Sequence, residues 1–160
     1  MGEFGQIREW SHDRSLDWHL LESGPFHRGL QHLVRDLNLL HRSEPALHEL
    51  DSEPAGFEWI DCTDSEQSVV SFVRRARRRS EFVVVACNFT PVPRSGYRIG
   101  VPRAGFYRER LNTDAALYGG SNAGNAGGAW SEPTPWQGQP HSLVPTLPPL
   151  AVLFLKPADG

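Results

Sequence analysis

Cysteine is scarce in this chain, and its scarcity excludes a disulfide framework. The 160 residues contain only Cys62 and Cys87. Small domains that depend on disulfides carry more cysteines than this, whereas isolated ones are typical of a reducing compartment. Neither residue has a neighbouring histidine or a helix start that would activate it as a nucleophile. We therefore expect both cysteines to be buried or half-buried free thiols.

Long apolar runs and strong net charge are also absent. No stretch approaches the roughly 18 apolar residues that a membrane-spanning helix requires, and the first residues lack the basic-then-apolar layout of a secretory signal. A net charge of −3 is too small to attract nucleic acid or an anionic membrane through a general field. The seven histidines show no metal-binding spacing, so no metal site is predicted. We expect a soluble cytoplasmic protein without a cofactor and without nucleic-acid or membrane partners.

Hydrophobic residues make up a modest 39% of the chain, while glycine and proline are frequent, with 15 and 13 residues. This composition is typical of a loop-rich β-protein, or of a piece that leans on a partner surface. One amphipathic helix is expected at 26–43, because apolar side chains recur at helical spacing. These side chains are Leu30, Leu33, Val34, Leu37 and Leu40.

From about Asp51 the pattern becomes strand-like. Strands are expected at 56–60, 68–75, 82–87, 97–101, 106–111, 142–146 and 150–155, with a glycine-rich loop at 119–128. The β-branched run at 82–87 is typical of a central strand covered on both faces. Short strands separated by turns predict an antiparallel β-sandwich. Its predicted core comprises Phe57, Trp59, Val70, Phe72, Val83, Val85, Phe89, Leu147, Val152 and Phe154.

Two further patterns admit a functional interpretation that we do not favour. The arginines at 74, 75, 77, 78 and 79 suggest an anion or nucleic-acid patch. No aromatic residue interrupts them and a hairpin turn is expected there, so a solvated turn is the preferred interpretation. The segment 119–125 resembles a phosphate cradle only in its glycine content, because it lacks the lysine and the following helix.

The opening segment is rich in rings and acids, with Trp10, Trp18, two Asp and two Glu in its first 21 residues. Such rings can stack on sugar faces while polar groups take the hydroxyls; the alternative is that both tryptophans only pack the loop. His12 and Asp13 are adjacent, and neighbours on an extended chain point to opposite sides. A polar bridge is therefore expected there instead of a catalytic dyad, and a similar bridge between Arg14 and Asp17.

Long motifs resemble those of bacterial 1,4-α-glucan branching enzymes, members of the α-amylase-type glycoside hydrolase family. The resemblance begins with Gly-Glu-Phe-Gly-Gln at 2–6, Arg-Glu-Trp-Ser-His-Asp at 8–13 and Ser-Leu-Asp-Trp-His-Leu-Leu at 15–21. It continues at 34–38, 43–50, 56–60, 88–94, 96–100, 119–125, 141–143 and 146–150. These motifs occur in the order found in the family and cover almost the whole chain.

The resemblance implies a mainly β fold in two parts. Residues 1–50 would be the post-strand loop and last helix of a catalytic (β/α)8 barrel, and residues 51–160 an antiparallel β-sandwich of the α-amylase C-terminal all-β type. The apolar stripe of the helix would then pack on barrel strands that this chain lacks. Substrate-binding residues are expected at Glu3, Gln6, Trp10, Asp13 and Trp18.

The implied reaction cuts an α-1,4-glucan and rejoins it as an α-1,6 branch. It needs two carboxylates about 5 Å apart, which in this family lie on earlier barrel strands. No catalytic residue is therefore expected here, and Glu3 is expected to be a support or hydrogen-bonding residue. The implied partners are the missing catalytic barrel and α-glucans such as glycogen or amylose-like chains, bound by the intact enzyme.

Two interpretations of the chain from different functional classes stay open. The chain is either part of such an enzyme or a stand-alone carbohydrate-binding or assembly β-module. A barrel sequence encoded upstream of Met1 would distinguish them. An α-amylase-type hydrolase is a third interpretation, which the branching-enzyme character of the motifs disfavours.

Overall fold

The computed structural model describes residues 2–158. These residues form one helix, eight strands and short 3₁₀ turns. The elements are α1 (Pro25–Ser43), β1 (Phe57–Asp61), β2 (Val69–Arg75), β3 (Phe82–Asn88), β4 (Ile99–Val101), β5 (Phe106–Asn112), β6 (Gly128–Trp130), β7 (His141–Leu143) and β8 (Ala151–Pro157). In this part of the chain no helix combines the length and apolar character needed to cross a membrane.

The strands form two sheets, and every pairing is antiparallel. Six strands lie in the order β1-β2-β3-β8-β5-β6, while β4 and β7 form a separate two-stranded ribbon. The mainly β, antiparallel fold expected from the sequence is therefore confirmed. Strand β6 starts at the end of the glycine-rich segment and was not predicted, and β7 is shorter than the predicted strand at 142–146.

Strand β3 is buried along its whole length, as its continuous apolar run predicted. It lies third in the large sheet and pairs with β2 on one side and β8 on the other. One of its faces packs on the β4–β7 ribbon, and the other packs on the turn at 45–47 that follows the helix. We call these the ribbon face and the helix face of the large sheet.

The ribbon face is the main core of the protein. Side chains from the sheet and the ribbon interlock there and exclude solvent. This cluster contains Ile60, Val69, Val73, Phe82, Val84, Ala86, Ile99, Val101, Tyr107, Leu143, Leu147, Leu153 and Leu155. Tyr107 is fully buried, and its hydroxyl donates to the Arg103 carbonyl at 2.8 Å, so its polar tip is satisfied inside the core.

The helix face has a different cover, and it corrects one expectation. The stripe of α1 was expected to pack on strands outside this chain, yet its C-terminal half packs on the sheet. Leu40 joins Leu47 and Leu111 in a buried cluster, with Leu37 and Phe154 beside it. The helix itself begins and ends within one residue of the prediction. The division of the chain at residue 50 stays a prediction.

Two polar contacts fasten α1 to the β-region. The Lys156 ammonium donates to both Glu44 carboxylate oxygens at 2.8 Å, and Glu44 at the helix end is buried. The Tyr118 hydroxyl donates to Asp36 at 2.9 Å. Gly29 allows the same approach, because a Cβ there would collide with the Tyr118 backbone carbonyl. The helix is therefore docked at both its middle and its C-terminal end.

Three predicted core residues are on the surface. Phe57 is 39%, Trp59 52% and Phe89 61% exposed. The first two lie on β1, an edge strand whose outward side chains extend past the helix cover. Phe89 follows the end of β3, where the chain leaves the sheet. An alternating pattern predicts which residues share a face, but it does not predict whether that face is covered.

Candidate functional site

The predicted substrate-binding residues lie on the irregular segment 2–22, which precedes α1. Glu3, Trp10, Asp13 and Trp18 are exposed, and Gln6 is half-buried. These five side chains do not form one cluster among the described contacts. The expectation that they bind substrate stays a prediction.

The Gln6 side chain links two parts of this segment through hydrogen bonds. Its side-chain oxygen accepts the Asp17 amide at 2.9 Å, and its nitrogen donates to the Arg8 carbonyl at 2.8 Å. Trp18 stacks on the buried Phe4 ring with centroids 5.4 Å apart. Both contacts give the segment a defined shape, which a binding surface needs.

The polar bridges of this segment were partly mispredicted. His12 lies 3.2 Å from Asp13, as expected. Asp17, however, pairs with Arg8 and not with Arg14: the Arg8 Nε donates to Asp17 at 3.0 Å and a second guanidinium nitrogen completes a bidentate contact. These hydrogen bonds lower the pKa of Asp17 below its ordinary value. Proximity in sequence favoured Arg14 as the partner of Asp17, but Arg14 ends a turn at 11–14 and makes no ion pair with Asp17 among the described residues.

A ring cluster that the sequence did not reveal lies on the helix face. Phe57 stacks on Phe72 at 5.1 Å, and Trp59 meets Phe57 and Phe72 edge-on at 4.8 and 5.8 Å. Mutual packing holds these rings rigidly, and about half of Trp59 faces solvent. We call Phe57, Trp59 and Phe72 the ring platform. Its sequence signal is the pair of aromatic residues at alternate positions of an edge strand.

The arginine cluster is not a free basic patch. Arg74 and Arg75 belong to β2 and are partly buried. They therefore do not lie in a solvated turn, which corrects the expectation for these two residues. Arg74 pairs with Asp51 at 2.6 Å, and Arg75 pairs with Glu58 at 2.6 Å. Ion pairs within the chain therefore use most of this charge, which disfavours an anion site.

The glycine-rich loop is likewise occupied by the chain itself. The Asp114 carboxylate accepts the backbone amides of Ser121 and Ala123 at 2.9 Å, and the Ser121 hydroxyl at 2.6 Å. A phosphate cradle would need those amides to be free for a ligand. The loop is thus folded around an internal carboxylate, in agreement with its interpretation as a structural loop.

The two cysteines have different environments. Cys87 is buried on β3, and burial raises the pKa of its thiol. Cys62 is exposed, which corrects the expectation that both would be at least half-buried. Neither is disulfide-bonded.

Comparison with known proteins identifies both the fold and the relatives. A family model described as "Alpha amylase, C-terminal all-beta domain" matches residues 59–158. Proteins named 1,4-alpha-glucan branching enzyme GlgB match nearly all of the chain. The one from Aquifex aeolicus is 57% identical over 97% of this chain and 24% of its own length. The one from Aromatoleum aromaticum is 60% identical over 98% and 24%, and that from Synechococcus elongatus 54% over 99% and 20%.

These matches confirm the resemblance to branching enzymes, although the chain spans only about a fifth to a quarter of the length of these relatives. The family match begins within β1 and runs through β8, and therefore includes both sheets. The chain belongs to the α-amylase C-terminal all-β domain family.

Proposed function

We propose that this chain is the C-terminal portion of a 1,4-α-glucan branching enzyme, which transfers α-1,4-glucan segments to form the α-1,6 branches of glycogen. The observation that carries the proposal is the extent of the match. Relatives with that name match 94–99% of the chain, and so extend into segment 2–22 and α1, which the β-domain family model does not cover. This favours a branching enzyme over an α-amylase-type hydrolase that shares only the β-domain.

The chain supports the enzyme and does not supply its catalytic acids. A general acid at neutral pH needs a raised pKa. The Arg8 hydrogen bonds instead lower the pKa of Asp17. Burial opposes ionisation of Glu58 and Asp61, but hydrogen bonds from their neighbours outweigh it and lower both pKa values. These three carboxyls are therefore not suited to the general-acid role, and we assign the catalytic pair to the remainder of the enzyme.

That remainder, the catalytic barrel, is the first partner. Large apolar side chains are exposed on segment 2–22 and on α1. They include Ile7, Phe26 and Leu39. Because the relatives are four to five times longer than this chain, the barrel is the natural cover for this surface. Glu3, Gln6, Trp10, Asp13 and Trp18 then lie at the barrel rim, where they contact substrate.

The second partner is the α-glucan itself, through the ring platform. A glucose ring has an apolar face that an exposed tryptophan can cover while the hydroxyls stay in water. Trp59 offers such a face and is held in place by Phe57 and Phe72. The platform retains long glucan chains near the enzyme without taking part in the transfer. We assign the enzyme to the cytoplasm, in line with its free thiols.

A chimeric enzyme tests the proposal. This chain replaces the matching C-terminal segment of the Aquifex aeolicus enzyme, and new α-1,6 linkages in amylose are measured by proton NMR. We expect the chimera to branch amylose and the isolated 160-residue chain to form no branches. A folded chimera that does not branch amylose would contradict the proposal. Branching by the isolated chain would contradict its assignment as a non-catalytic portion.

The second candidate function is a stand-alone carbohydrate-binding module. The ring platform favours it, because the chain presents these rings without help from another protein. An inactive but folded chimera, combined with tight maltohexaose binding by the isolated chain, would support the module and overturn the enzyme portion.

A further inference from the structure

A cavity of about 580 Å³ opens beside the ribbon and is separate from every residue discussed as a substrate contact above. It lies between the turn that follows β1, the segment leading into β4, and a hairpin turn at 136–139. This volume is within the range of about 300–1,000 Å³ typical of small-ligand sites. The ring platform lies on the opposite, helix face of the same edge strand.

One wall of the cavity is Trp136, which is 48% exposed. It starts the hairpin turn, in which Trp136 and Gln139 exchange backbone hydrogen bonds of 3.0 and 2.9 Å. The two central residues, Gln137 and Gly138, have positive φ angles of 49° and 75°. Such angles at both central positions are typical of a tight hairpin turn. The indole is therefore carried by a short, well-defined turn.

The surrounding chain fixes this turn in place. The Gln137 side chain accepts the Gly100 amide at 3.1 Å and donates to Asp61 at 2.8 Å. Gln139 donates to Glu58 at 2.9 Å. Gly100 permits this close docking, because a Cβ there would collide with the Trp136 carbonyl oxygen. The backbone that carries the indole is thus preorganised, which lowers the entropy cost of binding a ligand against it.

Hydrogen-bond acceptors also line the cavity. Asp61 accepts the Thr63 amide and hydroxyl on one oxygen and Gln137 on the other. Asp64 accepts the Tyr97 hydroxyl at 2.8 Å. A carboxylate has about four acceptor positions, so both groups keep capacity for hydroxyl donors of a ligand. Their orientation is already set by the chain's own hydrogen bonds.

The charges of the lining favour a neutral ligand. The lining carries two groups of each sign, the carboxylates of Asp61 and Asp64 and the guanidinium groups of Arg94 and Arg98. Arg98 is already engaged by Glu132 and Ser142 at 2.6 Å, and Arg94 donates to the Gln67 carbonyl at 3.3 Å, so acceptors of the chain itself hold both guanidinium groups. Within residues 2–158 no cluster of three metal-ligating side chains occurs, which disfavours a cation. What remains is a ring, several acceptors and little net charge.

We infer that this cavity is a second, non-catalytic glucan site, in which Trp136 stacks on a glucose unit while Asp61 and Asp64 accept its hydroxyls. The choice of α-glucan as the saccharide rests on the proposed function. Aromatic stacking combined with orienting acceptors is the chemistry that recognises a neutral sugar. The site and the ring platform then hold glucan on both faces of β1.

Titration of the full 160-residue chain with maltohexaose tests the inference. Backbone and indole signals are followed in proton–nitrogen NMR spectra, and cellohexaose serves as the β-linked comparison. We expect the Trp136 indole signal to shift with maltohexaose. Trp136→Ala weakens binding at this site by about tenfold or more, and Trp136→Phe restores part of it. Trp130→Ala is the matched control, since Trp130 is 72% exposed and lies outside the cavity.

The variants separate this site from the ring platform. With Trp59→Ala, the shifts around Trp136 persist if the cavity binds glucan by itself. Should all maltohexaose shifts lie at the platform and Trp136→Ala leave them unchanged, the inference is overturned while the proposed function stands. Equal shifts with cellohexaose would also overturn it, because the site would then not be selective for α-glucan. Failure of the chimera to branch amylose would overturn the proposed function alone, since these titrations are independent of it.

Discussion

The two faces of the large sheet are built differently. The ribbon face is closed by β4 and β7, and its side chains, such as Leu153 and Tyr107, are fully buried. The helix face is closed in part, by the C-terminal half of α1 around Leu40 and Leu111 and by the turn at 45–47 around Ala46. Beyond the helix the same face exposes the ring platform. Stability is therefore concentrated on one face, and the other keeps surface available for contact.

This difference between the faces explains why the apolar side chains of β1 are buried on one face and exposed on the other. On β1, Ile60 points into the ribbon core, whereas Trp59 points outward past the helix. A fold that only needed stability would bury both. The ribbon face already supplies a large apolar core, so the fold remains stable with these rings exposed.

The sharpest test of the comparison is truncation on each face. Leu153→Ala removes a fully buried side chain from the ribbon core and is expected to cost about 2–5 kcal/mol of unfolding free energy. Phe72→Ala on the helix face is expected to cost about 1–2 kcal/mol, since a half-buried ring removes less area from water. Urea denaturation of both variants measures the difference. Equal losses would show that the helix face is as tightly packed as the ribbon core.

A smaller effect is expected where the helix is fastened to its face. Lys156→Met leaves the buried Glu44 carboxylate without its partner and is expected to cost about 1–3 kcal/mol, less than for a fully buried pair because Lys156 is partly exposed. Arg78→Met is the control, since its 3.4 Å contact with Glu81 is exposed and worth about 0–1 kcal/mol. Thermal denaturation compares them. If Lys156→Met leaves the melting temperature unchanged, apolar packing alone holds α1 on the sheet.

The ribbon core also predicts a response to alkaline pH. Burial raises the pKa of Tyr107 to about 12, against about 10 in an unfolded chain. The folded state therefore holds this proton more tightly, and the resulting stability, present below pH 10, is lost as the pH rises from 10 to 12. The loss approaches about 1.4 kcal/mol per pH unit for this group.

Tyr107→Phe tests this directly. It is expected to cost about 1 kcal/mol at neutral pH through the lost hydrogen bond to Arg103, and to flatten the decline above pH 10. Urea denaturation across pH 8 to 11.5 measures both effects. If the free energies of unfolding of the variant and the unchanged protein fall in parallel above pH 10, Tyr107 ionises as it would in water. The ribbon core would then not exclude solvent from its hydroxyl.

The sequence predicted most of the fold, because the dominant signals are local. Helix α1 and strands β2, β3 and β8 lie within a residue or two of their expected positions, since apolar periodicity marks each one. The errors occur where tertiary packing decides. Whether the α1 stripe meets a barrel or this sheet depends on Leu111 and Phe154, which lie far along the chain.

Less of the candidate sites could be predicted. Rings and acids near the start of the chain were visible as sugar-binding residue types, but their contacts, such as Gln6 with Asp17, depend on a turn. The cavity beside the ribbon joins Asp61 to Gln137 across 76 positions, and no local pattern links them. The exposure of Trp59 depends on where the helix cover stops.

The chimeric enzyme offers the most direct test of the central claim that the ribbon core stabilises the fold while the ring platform binds glucan. Branching activity per folded molecule and melting temperature are measured for Leu153→Ala and Trp59→Ala. The account predicts a lower melting temperature with unchanged activity for Leu153→Ala, and an unchanged melting temperature with a raised KM for amylose for Trp59→Ala. If Trp59→Ala lowers only the melting temperature and leaves the use of amylose unchanged, the ring platform is scaffold and the claim is contradicted.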